Sequence, residues 1–209
     1  MATLKPIDGL TFHEDIHRYH REGHGWLAHS VTGVVSDLTP YARAKIESTR
    51  DVWEPRGNAA HAALEAFLLG LEGPSGGDYD SIIQPLLSYP LWDGCEVIAV
   101  EYRLCDKDGR KSLGGSFDFL IRTRKGKTIL GDLKTVGSTP AVTSRKPATA
   151  QLGAYLACLI DWHPHLLIDK CVTVVAGPAR THAISQEPDE CLSAWVDAWD
   201  KFNLLQPDF

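Results

Sequence analysis

Two segments, GGSFDFLIR (114–122) and TILGDLK (128–134), decide the fold of this chain. Both are rich in aromatic and β-branched residues, and Lys125-Gly126-Lys127 between them is a turn, so they are predicted to pair as an antiparallel hairpin. Strand residues alternate between faces, which puts Asp132 and Lys134 on one face and Leu133 on the other, while the turn brings Asp118 beside Asp132. Two carboxylates and a lysine on one sheet face repel one another and lose hydration unless a partner resolves the conflict. A hard divalent cation such as Mg²⁺ or Mn²⁺ resolves it, because it takes carboxylates, carbonyls and water as ligands. An Asp-x-Lys pair is also ordinary on a solvated strand face, so its surroundings must carry the argument.

Working outward, 96–104 reads as a third strand, which makes an antiparallel meander. A helix over 148–162, a buried strand over 171–176 and an acidic last helix over 189–204 follow. Ahead of the meander, 59–71 reads as a helix, with Leu64, Phe67, Leu68 and Leu71 as its apolar face and Gly73-Pro74 as its stop. A loop at Pro74-Ser75-Gly76-Gly77 leads to a helix over 79–88. Residues 10–35 read as two or three short strands, and 37–50 as a short helix capped by Ser36 or Asp37. The class is α/β: one domain over 1–209, with an N-terminal extension (1–50), a core of helix, meander, helix and strand (55–180), and an acidic C-terminal helix (183–209).

Composition narrows the setting. The 209 residues are 44% hydrophobic and 23% charged, which supports a core and argues against disorder. No apolar run reaches the roughly 18 residues of a membrane span, and residues 1–8 do not resemble a signal peptide. Cysteines at 95, 105, 158, 171 and 191 are odd in number and widely spaced, unlike a disulfide scaffold or an iron–sulfur motif. A reduced, cytoplasmic protein without a membrane partner or an iron–sulfur cluster is expected. Net charge is −6, but 103–146 holds eleven Lys/Arg against four Asp, whereas 183–209 holds six acids against one lysine. Fields act over about 8–10 Å at physiological salt, so the basic run can hold a polyanion despite the overall sign. His13, His17, His20, His24 and His29 crowd one segment, but no regular helix fixes their spacing and a structural zinc site there is not expected. There is no Walker-type phosphate loop, hence no sign of a motor.

Several short motifs, taken in order, resemble those of the PD-(D/E)XK nuclease superfamily, specifically its RecB-type exonuclease domain, also found in phage recombination nucleases and CRISPR-associated adaptation nucleases. They are Arg56-Gly57-Asn58-Ala59-Ala60-His61, Glu101 in Val-Glu-Tyr-Arg-Leu, Gly115-Ser116-Phe117-Asp118, Asp132-Leu133-Lys134-Thr135, and Gln151-Leu152-Gly153-Ala154-Tyr155. His17-Arg18-Tyr19 and His29-Ser30-Val31-Thr32 also look like the lead-in of phage members.

That resemblance implies a restriction-endonuclease-like core and hydrolysis of DNA phosphodiester bonds with one or two Mg²⁺ or Mn²⁺ ions. It implies metal ligands at Asp118, Asp132, His61 and the Leu133 carbonyl, with Glu101 joining a second ion or orienting a ligand. Lys134 is expected to hold or help deprotonate the attacking water, and Gln151 and Tyr155, one helical turn apart, to reach a phosphate or that water. Each has an ordinary alternative: a helix-surface histidine, a surface glutamine, a core tyrosine. An exonuclease in phage or mobile-element DNA recombination, replication or repair is the leading expectation. A structure- or sequence-specific endonuclease on the same core, or a non-catalytic nucleic-acid-binding protein, are the alternatives. Oligomeric state and further protein partners are not readable.

Overall fold

The structure is a computed structural model that describes residues 4–36, 38–73 and 77–205. Its centre is the predicted meander: β5 (Glu96–Cys105), β6 (Leu113–Arg122) and β7 (Thr128–Thr135), paired antiparallel in sequence order. The sheet continues through β8 (Lys170–Gly177), parallel to β7, and β9 (Arg180–Gln186), antiparallel to β8. On the other flank a two-residue strand, β4 (His29–Ser30), pairs parallel with the start of β6. The result is a mixed six-stranded sheet in an α/β fold.

Strand alternation distributes the apolar side chains to two layers. Phe119, Ile121, Ile129, Leu133, Val172 and Val174 face α3 (Arg50–Leu69) and α4 (Asp80–Leu87), while Leu120, Leu130 and Cys171 face α6 (Thr149–Trp162) and α7 (Pro188–Leu204). Leu133 thus points away from the α6 side, as period-two reading requires. α7 packs tightly on α6 because Gly153 has no side chain: a Cβ there would sit 1.8 Å from the Cys191 carbonyl oxygen. A separate three-stranded sheet, β1 (Leu10–His13), β2 (Arg18–Arg21) and β3 (Gly25–Trp26), precedes β4.

Several local expectations are corrected. α3 begins at Arg50, nine residues before the predicted start, and runs through Pro55, whose missing N–H reads in the sequence as a boundary. Its stop is Gly70, in the left-handed region at φ 68°, and its buried face is Ala60, Ala63 and Leu64, whereas Phe67 and Leu71 are exposed. The short helix α2 (Pro40–Glu47) is capped by Thr39 rather than by Ser36, and Asp37 lies outside the described residues. Val31–Val34 forms a one-turn helix, α1, where a strand was expected; Ser30 caps it by accepting a hydrogen bond from the Gly33 N–H. β9 and the short helix α5 (Thr139–Ser144) were not anticipated. Residues 74–76 of the predicted loop lie outside the described residues. Among the described residues no helix is long and apolar enough to cross a membrane.

The basic run of 103–146 is not one strip. A meander places successive turns at opposite ends of its strands, so Lys107, Arg110 and Lys111 are separated from Arg122, Arg124, Lys125 and Lys127 by a ten-residue strand, about 33 Å. Many of these charges have local partners. Arg122 pairs with Glu96, Lys127 with Asp169 and Arg110 with Asp108, while Lys107 lies over Trp162 and Lys111 over Trp199.

Candidate active site

The pairing of β6 with β7 runs from Arg122↔Thr128 to Phe119↔Gly131, and Asp118 and Asp132 occupy the next position, where the two strands part. β4 joins β6 further on, at Leu113 and Gly114, so Gly115 to Asp118 lie between the two pairings. This fork opens a cavity of about 290 Å³ lined by His61, Asp118, Asp132, Lys134, Gln151 and Tyr155. Six of the eight predicted site residues therefore line one cavity.

Three donors converge at one end. His61 from α3 sets Nδ1 3.2 Å from Asp118 Oδ1 and 3.4 Å from Glu101 Oε1. One ligand atom from each of these three residues lies within 4.8 Å of the others. Glu101 reaches this position from an unusual backbone: it is a non-glycine residue at φ 46°, in the left-handed region, in the middle of β5. Such a conformation costs of order 1–3 kcal/mol and persists only where its surroundings impose it. The Leu133 N–H donates to Asp118 Oδ2, which ties that carboxylate to β7.

Asp132 lies beside this cluster with different partners. Gln151 Nε2 donates to its Oδ1 at 2.7 Å, and also to Tyr155 Oη at 2.8 Å. Lys134 Nζ stands 2.7 Å from Oδ2, yet that buried oxygen has no hydrogen bond of acceptable direction. The contact is an ion pair with one acceptor site left over. Tyr155 is buried beneath, its ring so close to Gly115 that a Cβ there would come within 2.8 Å.

The electrostatics follow from this arrangement. Burial by itself would lower the His61 imidazole, but the Asp118 and Glu101 carboxylates hold it well above the ordinary histidine value. Burial opposes ionisation of Asp118, and the His61 charge outweighs it, so Asp118 titrates below the usual range. Burial and the Asp118 charge push Asp132 up to about 6 against the pull of Lys134. Glu101 is raised, chiefly by burial.

The donor set suits a divalent cation. One imidazole and two carboxylates, with a part-satisfied carboxylate oxygen next to them, match the ligand preferences of Mn²⁺ and, less strongly because of the nitrogen, Mg²⁺. Without an ion, a protonated His61 supplies the positive charge that keeps the acids together.

The far wall was not assigned from sequence. Phe12, His17, Tyr19, Ser30, Val31 and Thr32 line it, together with Gly115 and Ser116 of β6. The signal was present in His17-Arg18-Tyr19 and His29-Ser30-Val31-Thr32, which stand far from the catalytic motifs in sequence. Of the crowded histidines, His13 and His20 pack their rings against Trp26, and His29 packs against Phe202.

No family model matches the chain, and no curated protein matches it. Among solved structures it is similar to "Crystal structure of SSO0001" at 21% identity and a TM-score of 0.40, covering 86% of this chain and 76% of that one. It is also similar to "Crystal Structure of LHK-Exo in complex with dAMP" at 15% identity and a TM-score of 0.36, covering 84% and 88%. Neither likeness bears on the chemistry, which stands on the residues above.

Proposed function

We propose that this chain is a divalent-metal-dependent nuclease of the PD-(D/E)XK type that hydrolyses DNA phosphodiester bonds from an end. The observation that carries the reading is the convergence of His61, Glu101 and Asp118 within 4.8 Å, beside an Asp132–Lys134 ion pair that shares a cavity with His61 and Asp118. The elements from α3 to β8 are then a restriction-endonuclease-like catalytic unit, α7 a cover on its α6 side, and the stretch from Phe12 to Thr32 the element that walls the pocket. DNA recombination or replication, in a phage or mobile element, is the setting that the motifs suggest.

His61, Glu101 and Asp118 would hold the ion, with Asp132 and the Leu133 carbonyl as the further ligands of this reading. When bound, such an ion stabilises charge on the phosphoryl oxygens and makes water more acidic. Gln151 holds Asp132 Oδ1 and leaves Oδ2 to Lys134, while Tyr155 fixes the Gln151 amide. Lys134 carries three donors beside Oδ2, where it orients a water for in-line attack and steadies negative charge at phosphorus. The burial of Asp118 and Asp132 strengthens the fields that act on them.

End-labelled linear duplex, linear single strand, nicked circle and closed circular single strand, each with Mn²⁺ or EDTA, test the reading. Mononucleotides or short products from linear DNA, with the closed circle intact and EDTA abolishing the reaction, are expected. Rapid cutting of the closed circle moves the assignment to an endonuclease, and no cleavage of any substrate with Mn²⁺ rejects it.

A further inference from the structure

The pocket wall contributed by the first strands has ring surfaces to which the catalytic reading gives no role. Phe12 and Tyr19 are register partners across β1 and β2, so both side chains leave the same face of that small sheet, the face turned to the pocket. Their ring centroids are 4.7 Å apart, and the His17 ring meets Phe12 edge-on at 5.1 Å and 82°. Tyr19 is held fast over Gly114, where a Cβ would approach its ring to 2.7 Å. Phe12 is half-buried and His17 exposed, so both keep ring surface at the rim. His17 is also in the left-handed region at φ 51°, a conformation that histidine tolerates better than most residues and that fixes its ring at the cavity edge. The Arg103 guanidinium lies 5.8 Å from the Phe12 ring centroid, which places positive charge next to these aromatic faces.

Rings at the rim, a cation beside them and an acidic metal-fit cluster beneath form a graded site. We propose that Phe12 and His17 form a platform on which a base of a single-stranded end stacks, while its phosphate enters the cavity below. The proposal rests on the nuclease reading and names the substrate as an unpaired strand end. Every base offers a π-face, so such a platform holds a strand without choosing its sequence. Trp26, in edge-on contact with His13 and His20 and close to Arg18 on the other face of the same sheet, is not part of it.

The test is anisotropy of a dye-labelled single-stranded 12-mer with the full chain in Ca²⁺, compared with a strand abasic at its terminal nucleotides. Phe12→Leu and His17→Asn should each weaken binding of the ordinary strand about 5- to 150-fold, the range of one lost base stack, and bind the abasic strand as the parent does. Trp26→Leu should leave both affinities unchanged. Equal losses on the ordinary and abasic strands, unchanged affinity in both variants, or no binding by the parent overturns the platform. Asn tolerates the backbone at position 17, so His17→Asn decides the matter if Phe12→Leu does not fold. Cleavage in Mn²⁺ is read separately. Cleavage with no dependence on Phe12 or His17 rejects the platform alone, whereas ring-dependent binding without cleavage rejects the nuclease reading and keeps the platform.

Discussion

Asp118 and Asp132 stand opposite one another where β6 and β7 part, and they titrate in opposite directions. Burial disfavours charge on both, but His61 outweighs it for Asp118, which is held below the usual carboxylate range, whereas Asp132 is pushed up to about 6. Two like groups driven apart in this way are what a site needs in order to hold one fixed charge and one adjustable charge.

Lys134→Ala should lower the cleavage rate at least a hundredfold, the scale of one lost electrostatic donor, with little change in melting temperature. Lys134 is one-quarter exposed, and its partner Asp132 retains the Gln151 hydrogen bond. Rates on end-labelled DNA beside thermal melts check this, and undiminished cleavage by a folded Lys134→Ala protein removes the lysine from the mechanism.

Mn²⁺ binding should strengthen as pH rises. The metal needs neutral His61, whose imidazole is held protonated well above its ordinary range by Asp118 and Glu101 against the effect of burial. Below the folded pKa, affinity should fall about tenfold per pH unit, with one proton released per ion bound. Calorimetry at two pH values, in two buffers of different ionisation enthalpy, measures both. His61→Gln should flatten the profile.

Asp132→Asn should stabilise the metal-free protein at pH 8 and scarcely change it at pH 4. The folded pKa of Asp132, about 6, lies above the unfolded value near 3.9, so the folded state favours the proton and stability falls as pH rises between the two. His61 acts in the same direction: its contribution is complete below about 6.5 and is lost as pH rises through its raised folded value. Removing the Asp132 cost should be worth on the order of 2 kcal/mol, or roughly 4–8 °C in a chain of this size. A lower melting temperature for Asp132→Asn at pH 8 contradicts the charge balance described above.

Binding of single-stranded DNA should show a shallow salt dependence. Seven of the eleven basic residues of 103–146 sit at the two turns of the meander, where three are ion-paired and two lie over tryptophan rings, which leaves the cations near the cavity to meet phosphates. About three contacts give a slope near −2 in a plot of log affinity against log salt, far from the value that eleven would give.

Gly153→Ala should destabilise the fold by about 1–3 kcal/mol, because its Cβ meets the Cys191 backbone and α7 must move. Chemical denaturation measures this. The same substitution at Gly126, where nothing lies within 4 Å, tests backbone conformation alone.

The meander, α6, β8 and α7 were legible because strand and helix periods write themselves into 96–204, and Asp132, Leu133 and Lys134 alternate as the pleat demands. α3 was legible only in its second half, since Pro55 hides the first and Ala60 and Ala63, rather than larger residues, face the sheet. β9 escaped because Arg180 to Gln186 is polar and pairs on one side only. The acids and the lysine could be read from local spacing. The wall of Phe12, His17 and Tyr19 had no such spacing to show it, because a contact across a hundred residues leaves no period in the chain, and only the motif His17-Arg18-Tyr19 pointed to it.

The parallel pairing of His29 and Ser30 with Leu113 and Gly114 has a consequence for how the molecule is made. It joins strands 84 positions apart, a closure that is slow and entropically costly compared with the hairpins of the meander. At 5–20 residues per second, a ribosome needs about 4–17 s to deliver Leu113 after His29. During that interval β1 to β3 can pair with one another, but β4 has no strand to join. The pocket is therefore among the last features to be assembled, around a meander that can form without it.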